Sequence, residues 1–330
     1  MTPVDYSGLY PETILSAIEA RGHLTSGRML ALNSYENRVY RVELEDAPPV
    51  VAKFYRPERW SDEAILEEHG FSRELAEAEI PVVAPMADEA DNTLSVYDGY
   101  RYALFPQQGG RWPDLESRRD LAWMGRFLAR IHAIGARRPF EYRRRIGVAN
   151  YGRESAGYLL AEGFIPAHLD PAYRTLADDL LDSVERCFER AGDVSEIRIH
   201  GDCHRGNVLW TDAGPHFVDL DDCVNGPAIQ DLWMLLAGER EEMEIQLSYV
   251  LEGYGDFADL DPRELHLVEA LRSLRMMHYA AWLARRWTDP AFPQAFPWFN
   301  TARYWENHVL ELREQLSRTQ EPALNPAMGV

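Results

Sequence analysis

Cysteine is scarce in this chain of 330 residues. Cys187, Cys203 and Cys223 are the only three; they are odd in number and widely spaced, so no disulfide framework follows from them. Reduced thiols suit the cytoplasm, which is the expected location. Basic charge is also short: 34 Lys and Arg stand against 54 Asp and Glu, a formal net charge of −20. Such a surface repels nucleic acid and anionic lipid, so neither is an expected partner. No apolar run approaches the roughly 20 residues that span a bilayer. The opening MTPVDYSGLYPETILSAIEA carries acids early and no basic segment, so it does not read as a signal peptide. No repeat or low-complexity segment is visible, and a monomer is expected.

What is present is a globular composition. The chain is 46% hydrophobic with nine Trp, sixteen Tyr and twelve Phe, and it is long enough for two cores. Residues 11–21 read as a helix, with Pro11 at its start and Gly22 as its stop. VYRVEL (39–44) and VVAKFY (50–55) read as strands separated by a turn. Residues 62–78 return to helical spacing through Ile65, Leu66, Phe71 and Leu75. IPVVAPM, TLSVY and RYALF are expected to add three short strands. The pattern is an α+β one: a small antiparallel sheet with one helix across it, then a mainly helical remainder. PQQGGRWPD (106–114) is the expected joint, dividing the chain into 1–106 and 107–330. Beyond it, helices are expected over 117–135, 172–191, 228–238 and 263–287, with a strand pair NVLW and HFVDL. RRPFEYRRR is read as a solvated basic loop, and the tail EPALNPAMGV as loosely ordered.

Chemistry concentrates in RIHGDCHRGNVLWTD (198–212). His200, Cys203 and His204 raise a zinc site, but there is no CxxC pair, no second Cys/His cluster and no HExxH, so that reading is set aside. Phosphoryl transfer fits better. It needs a carboxylate to orient the incoming hydroxyl and hard oxygen ligands for Mg²⁺. Asp202 is followed five residues later by Asn207, and Asp219 of HFVDLDD is expected to end a strand twelve residues beyond that. This is the order of catalytic Asp, metal-binding Asn and metal-binding Asp in kinases. Each residue alone has a bland reading, as a cap or an Asx turn; the joint spacing carries the functional one. His200 is expected to brace the loop.

The sheet must supply a cation for the nucleotide phosphates. Lys53 stands on a strand among apolar and aromatic neighbours, where an unpaired ammonium would be costly. The following helix offers Glu68 as its partner, with Glu67 as the alternative.

HGDCHRGN, FVDLDD, GPAIQDLWML and the lysine of VAKFY together resemble the aminoglycoside phosphotransferase/choline kinase-like branch of the protein-kinase-like fold. LNSYENRVY, VVAKFYRPERW, ILEEH and DPAFP narrow the resemblance to bacterial serine/threonine kinases of stress response, over nearly the whole chain. The resemblance implies a two-lobed fold, ATP and Mg²⁺ as cofactors, and a protein Ser or Thr as acceptor. Asp202 and Asp219 would be the catalytic carboxylates, and Asn207 and Asp219 would bind Mg²⁺. Ser34 would lie over the ATP phosphates. Lys53 would contact those phosphates while paired with Glu68, and the backbone from Phe105 to Gln107 would meet adenine. Asp231 would hold the catalytic loop from below, and Asp221 would stand near the metals. Two departures matter. There is no GxGxxG, so NSYENR would approach the phosphates with Ser, Asn and Arg side chains. No long activation loop separates FVDLDD from NGPA, so control by loop phosphorylation is not expected. The residues alone also admit a kinase of a small alcohol, sugar or antibiotic, and a nucleotide-binding scaffold without turnover; retention of Asp202, Asn207, Asp219 and Lys53 together argues against the scaffold.

Overall fold

The computed structural model describes residues 5–326. Its first layer is an antiparallel sheet of β1 (Thr25–Ala31), β2 (Arg38–Leu44), β3 (Val50–Phe54), β4 (Ser95–Tyr97) and β5 (Tyr100–Pro106), ordered β1-β2-β3-β5-β4. The period of two sorts the central strand: Val50, Ala52 and Phe54 join Ile14 and Ile18 of α1 (Pro11–Glu19) in an apolar core, while Val51 and Lys53 face the cleft. Helix α2 (Asp62–Glu77) starts at Ser61, whose hydroxyl accepts the Ala64 N–H at 3.2 Å, and Asp62 and Glu63 suit the positive end of its dipole. It buries Ile65, Phe71 and Leu75, and with them Glu68.

The strand expected over 80–86 does not form. Pro81 and Pro85 lack the N–H a ladder needs, and the segment makes one bridge, Val82 to Phe217, which ties the sheet lobe to the helical lobe. Its apolar character belongs to that junction.

The second lobe contains α3 (Arg118–Gly135), a π-helical turn (Val148–Arg153), α4 (Glu154–Ala161) and α5 (Asp170–Ala191). Two small strand pairs follow: β6 (Ile197–Ile199) with β9 (Val224–Gly226), and β7 (Val208–Thr211) with β8 (Gly214–Phe217). The rest is α6 (Ile229–Trp233), α7 (Arg240–Tyr254), α8 (Val268–Arg285), α9 (Ala291–Ala295) and α10 (Ala302–Arg318). Helix α6 is shorter than the span 228–238, because after Trp233 the chain tightens into turns and reverses at Gly238, φ 90°. The span 263–287 resolves into a 3₁₀ segment, Pro262–Leu267, and α8. The sequence reading passed over α7 and α10. The tail is docked where it is described: Arg240 donates to the carbonyls of Pro322 and Ala323, and Leu324 is buried. Residues 327–330 lie outside the described residues. Among the described residues no helix is long and apolar enough to cross a membrane.

Helices α3 and α7 touch backbone to backbone. A Cβ on Gly125 would stand 2.0 Å from the Val250 carbonyl oxygen, and one on Gly253 would stand 1.8 Å from that of Ala122. Both glycines are therefore obligatory at this crossing. Gly253→Ala is expected to destabilise the fold by about 3 kcal/mol. Gly157→Ala, where an added methyl meets nothing within 4 Å on exposed α4, is expected to stabilise it by up to about 1 kcal/mol. Denaturant or thermal unfolding of both variants checks the opposite signs.

Candidate active site

The catalytic loop leaves β6 and is held from beneath by Asp231 of α6. Its carboxylate accepts the backbone N–H of His200 at 2.9 Å and of Gly201 at 2.8 Å. His132 Nε2 meets the same carboxylate at 3.0 Å and the Tyr254 hydroxyl meets His132 Nδ1 at 3.0 Å, so a buried chain from α3 and α7 fixes the loop. His200 donates from Nε2 to the Val218 carbonyl at 3.0 Å, bracing the loop against the exit of β8. Gly201 adopts φ 82°, and a Cβ there would stand 2.4 Å from the Asp222 carbonyl oxygen. Only glycine permits the close approach of the loops that carry Asp202 and Asp219.

Asn207 Nδ2 donates to Asp202 O at 3.0 Å and to its Oδ2 at 3.3 Å, which leaves Asn207 Oδ1 for another partner. Arg275 of α8 reaches Asp202 Oδ1 at 2.6 Å, and His204 Nε2 lies 3.5 Å from Oδ2. Burial alone would raise the Asp202 pKa, but Arg275, then His204 and His200, outweigh it and bring it down to about 2.

Asp219 does not end a strand. Strand β8 stops at Phe217, and Asp219 takes the left-handed conformation, φ 58°, which no ladder continues. The bond from Val218 N to Asn207 O, 3.0 Å, still brings Asp219 to the mouth beside Asn207, with its side chain 56% exposed.

Lys53 is the chain's only lysine against 33 arginines. Its buried ammonium lies 3.1 Å from Glu68, 3.0 Å from Asp221 and 3.5 Å from Asp219. Desolvation works to lower its pKa; Asp221 first, then Glu68, outweigh it and hold it well above the usual range. Glu67, the alternative partner, turns elsewhere and accepts the backbone N–H groups of Glu141, Tyr142 and Arg143 at 2.6, 2.9 and 2.9 Å. Asp221 is fully enclosed, meeting Lys53, Arg59 and Asn37 Nδ2 (3.1 Å).

Arg143 is the residue the sequence reading missed. The basic run containing it is not simply a solvated loop: its guanidinium is buried, donating to Glu68 Oε2 at 3.0 Å, to Ala64 O at 2.8 Å and to the Asp221 carbonyl. It lies 4.4 Å from the Trp60 ring centroid. The signal available was Trp60 just before α2 and Glu68 within it, an aromatic face and an acid that together accommodate an arginine.

These residues surround a cleft of about 1020 Å³, open to solvent, lined by Ser34, Lys53, Glu68, Phe105, Asn207 and Asp219 with apolar walls from Val39, Val51 and Leu209. Asp202 stands outside this lining, joined to it through Asn207. Gln107 turns its side chain to Arg41 Nε, 2.7 Å, while Gln108 faces the cleft. Arg38 does not approach the cleft either; it pairs with Asp289 at 3.0 Å. Arg56 joins it there at 2.8 Å, and Glu36 meets Trp282 and Arg286, so the loop after Ser34 is bolted to the helical lobe.

Residues 29–268 match the phosphotransferase enzyme family. The chain is 44% identical to the serine/threonine protein kinase RdoA of Salmonella typhimurium, over 97% of this chain and 96% of that one. It is 42% identical to stress response kinase A of Escherichia coli strain K12, with the same coverage. In three dimensions it is similar to the amicoumacin kinase hAmiN, solved with AMP-PNP and Ca²⁺, at a TM-score of 0.71 over 92% of this chain and 91% of that one. At 18% identity that likeness is one of fold. Identity of this extent along nearly the full length places the chain within the phosphotransferase enzyme family, among the stress response kinases.

Proposed function

We propose that this kinase moves the γ-phosphoryl group of ATP to a serine or threonine hydroxyl of a protein, in the cytoplasm, with Mg²⁺ held at the mouth of the cleft. The observation that carries the reading is the convergence of Asp202, Asn207 and Asp219 opposite the Lys53–Glu68 pair. The protein acceptor is supported by the similarity to RdoA, a serine/threonine protein kinase. The antibiotic kinase of similar fold supports a small acceptor less, since it shares fold alone.

The donor set fits the metal. Asn207 uses its amide on Asp202 and keeps Oδ1 free, and Asp219 presents an exposed carboxylate; both are the hard oxygens Mg²⁺ prefers. Bound there, Mg²⁺ would neutralise charge gathering on the transferred group. The chain's own residues do the rest. Residues 1–106 bind the nucleotide: Phe105, Val39 and Val51 flank the base, the backbone from Phe105 to Gln107 hydrogen-bonds to it, and Ser34 covers the phosphates. Lys53, kept in place by Glu68, contacts those phosphates. Residues 107–330 supply the catalytic loop and acceptor side. The acceptor hydroxyl donates to Asp202; its oxygen bonds to phosphorus as the bond to the ADP oxygen breaks, and its proton passes to Asp202. A carboxylate with a pKa near 2 is a weak base, so Asp202 chiefly orients the hydroxyl and takes the proton late.

Asp202→Asn is expected to lower kcat by roughly a thousandfold while nucleotide affinity stays within a few-fold. Transfer of labelled γ-phosphate together with nucleotide titration checks both, and normal turnover would remove Asp202 from the mechanism. Arg143→Met leaves one Glu68 oxygen buried without its partner, so KM for ATP is expected to rise about tenfold or more, with stability lower by about 3 kcal/mol. Arg143→Lys should recover part of the KM effect. Steady-state kinetics on the two variants checks this, and an unchanged KM would make Arg143 purely structural.

A further inference from the structure

Arg275, which meets Asp202 at 2.6 Å, opens one face of α8. Arg275, His278, Trp282, Arg285 and Arg286 follow one another along it at steps of three or four residues, with one step from 285 to 286. From the other side, Tyr151 stacks on His278 with ring centroids 4.2 Å apart and planes 27° apart. Arg144 stands just ahead of that turn. Burial, and after it the charges of Arg285, Arg144, Arg286 and Arg275, push the His278 pKa down to about 3.

The four differ in what neutralises them. Arg286 is taken by Glu36 and Arg275 by Asp202. Among the described residues neither Arg144 nor Arg285 forms an ion pair. Arg285 lies 4.9 Å from the Tyr158 ring centroid and Arg144 5.8 Å from that of Trp60. Arg144 repels Arg285 closely enough to help lower its pKa, behind burial. Glu154 acts on Arg285 only from beyond ion-pair distance, so in a chain with 54 acidic side chains these two neighbouring guanidiniums have no carboxylate in contact and suit an external anion.

Geometry sets the size of that anion's carrier. From Arg275 to Arg285 the helix rises about 15 Å. An extended peptide covers that distance in about four or five residues, at ~3.3 Å each. A small alcohol held at Asp202 does not reach so far; a polypeptide does. Arg275, moreover, occupies the Asp202 oxygen that an acceptor hydroxyl needs, and a carboxylate beside that hydroxyl is the natural competitor for it.

Resting on the protein-kinase reading above, we propose that the acceptor groove selects an acidic protein segment: one acid beside the accepting Ser or Thr draws Arg275 off Asp202, and another about four or five residues away is bound between Arg144 and Arg285. Arg144, Arg275 and Arg285 are thus the specificity-determining residues, and cationic acceptors are disfavoured.

The test uses the full-length protein with ATP and Mg²⁺, and serine peptides carrying Asp, Asn or Lys at those two places. The Asp peptide is expected to exceed the Lys peptide in kcat/KM by at least about tenfold, chiefly through KM. Arg275→Gln should remove the advantage of the adjacent acid and keep that of the distant one. The pair Arg144→Glu and Arg285→Glu should reverse the preference at the distant place, a gain for the Lys peptide that a misfolded protein does not give. If the pair fails to fold, Arg285→Gln alone should erase the distant preference. Equal rates for the three peptides, or an order unchanged by these substitutions, would overturn the acidic groove and leave the kinase reading standing. Phosphorylation of no peptide, with a small alcohol phosphorylated instead, would overturn the protein acceptor and this proposal with it.

Discussion

The structure turns on one buried ammonium. Lys53 lies in the middle strand of a sheet, out of water, and is tolerable there only because Glu68 and Asp221 meet it at about hydrogen-bonding distance. Those two carboxylates are themselves buried and need further cations, which Arg143 and Arg59 provide. The chain of obligations runs from the sheet to α2, across to the loop at 143, and back to the segment after Asp219. Each carboxylate is shared between two cations, so removing any one member leaves a buried neighbour short of a partner. Cleft, the mouth at Asp219 and lobe junction are consequently parts of one electrostatic unit.

The unit is held by contacts from both lobes, without a long segment between Asp219 and the strand that follows. Only residues 220–223 separate Asp219 from the strand β9, leaving no room for a long activation segment. The Lys53–Glu68 pair is instead fixed by Arg143 from the helical lobe, and the loop after Ser34 by Glu36, Arg38 and Arg56 against α8 and Asp289. Contacts on both sides of the cleft thus hold the two lobes together.

Much of this was legible in the sequence. The spacing of Asp202 and Asn207, the lone strand lysine and the apolar stripe of α2 each follow from local periodicity or from the cost of burying a charge. What escaped depended on distance along the chain. The arginine at 143 looks solvated beside Arg144 and Arg145, and only the fold brings it to Trp60 and Glu68. The segment at 80–86 looked like a strand because it is apolar, but its prolines and its contact with Phe217 make it a junction. Helix α7 was hidden by the charge density of EREEMEIQ; its Glu239–Glu242 capping box and the backbone contact through Gly253 emerge only in three dimensions. Asp219 comes to the mouth of the cleft by a left-handed turn rather than as a strand end.

The scarcity of lysine has a consequence of its own. Acetyl and other acyl groups transfer to neutral amines, and the single lysine side chain of this protein is enclosed by carboxylates that keep it protonated. The remaining cations are guanidiniums, which such donors do not neutralise. Acyl-lysine chemistry, which elsewhere retunes a protein's electrostatics with metabolic state, therefore finds no exposed lysine among the described residues.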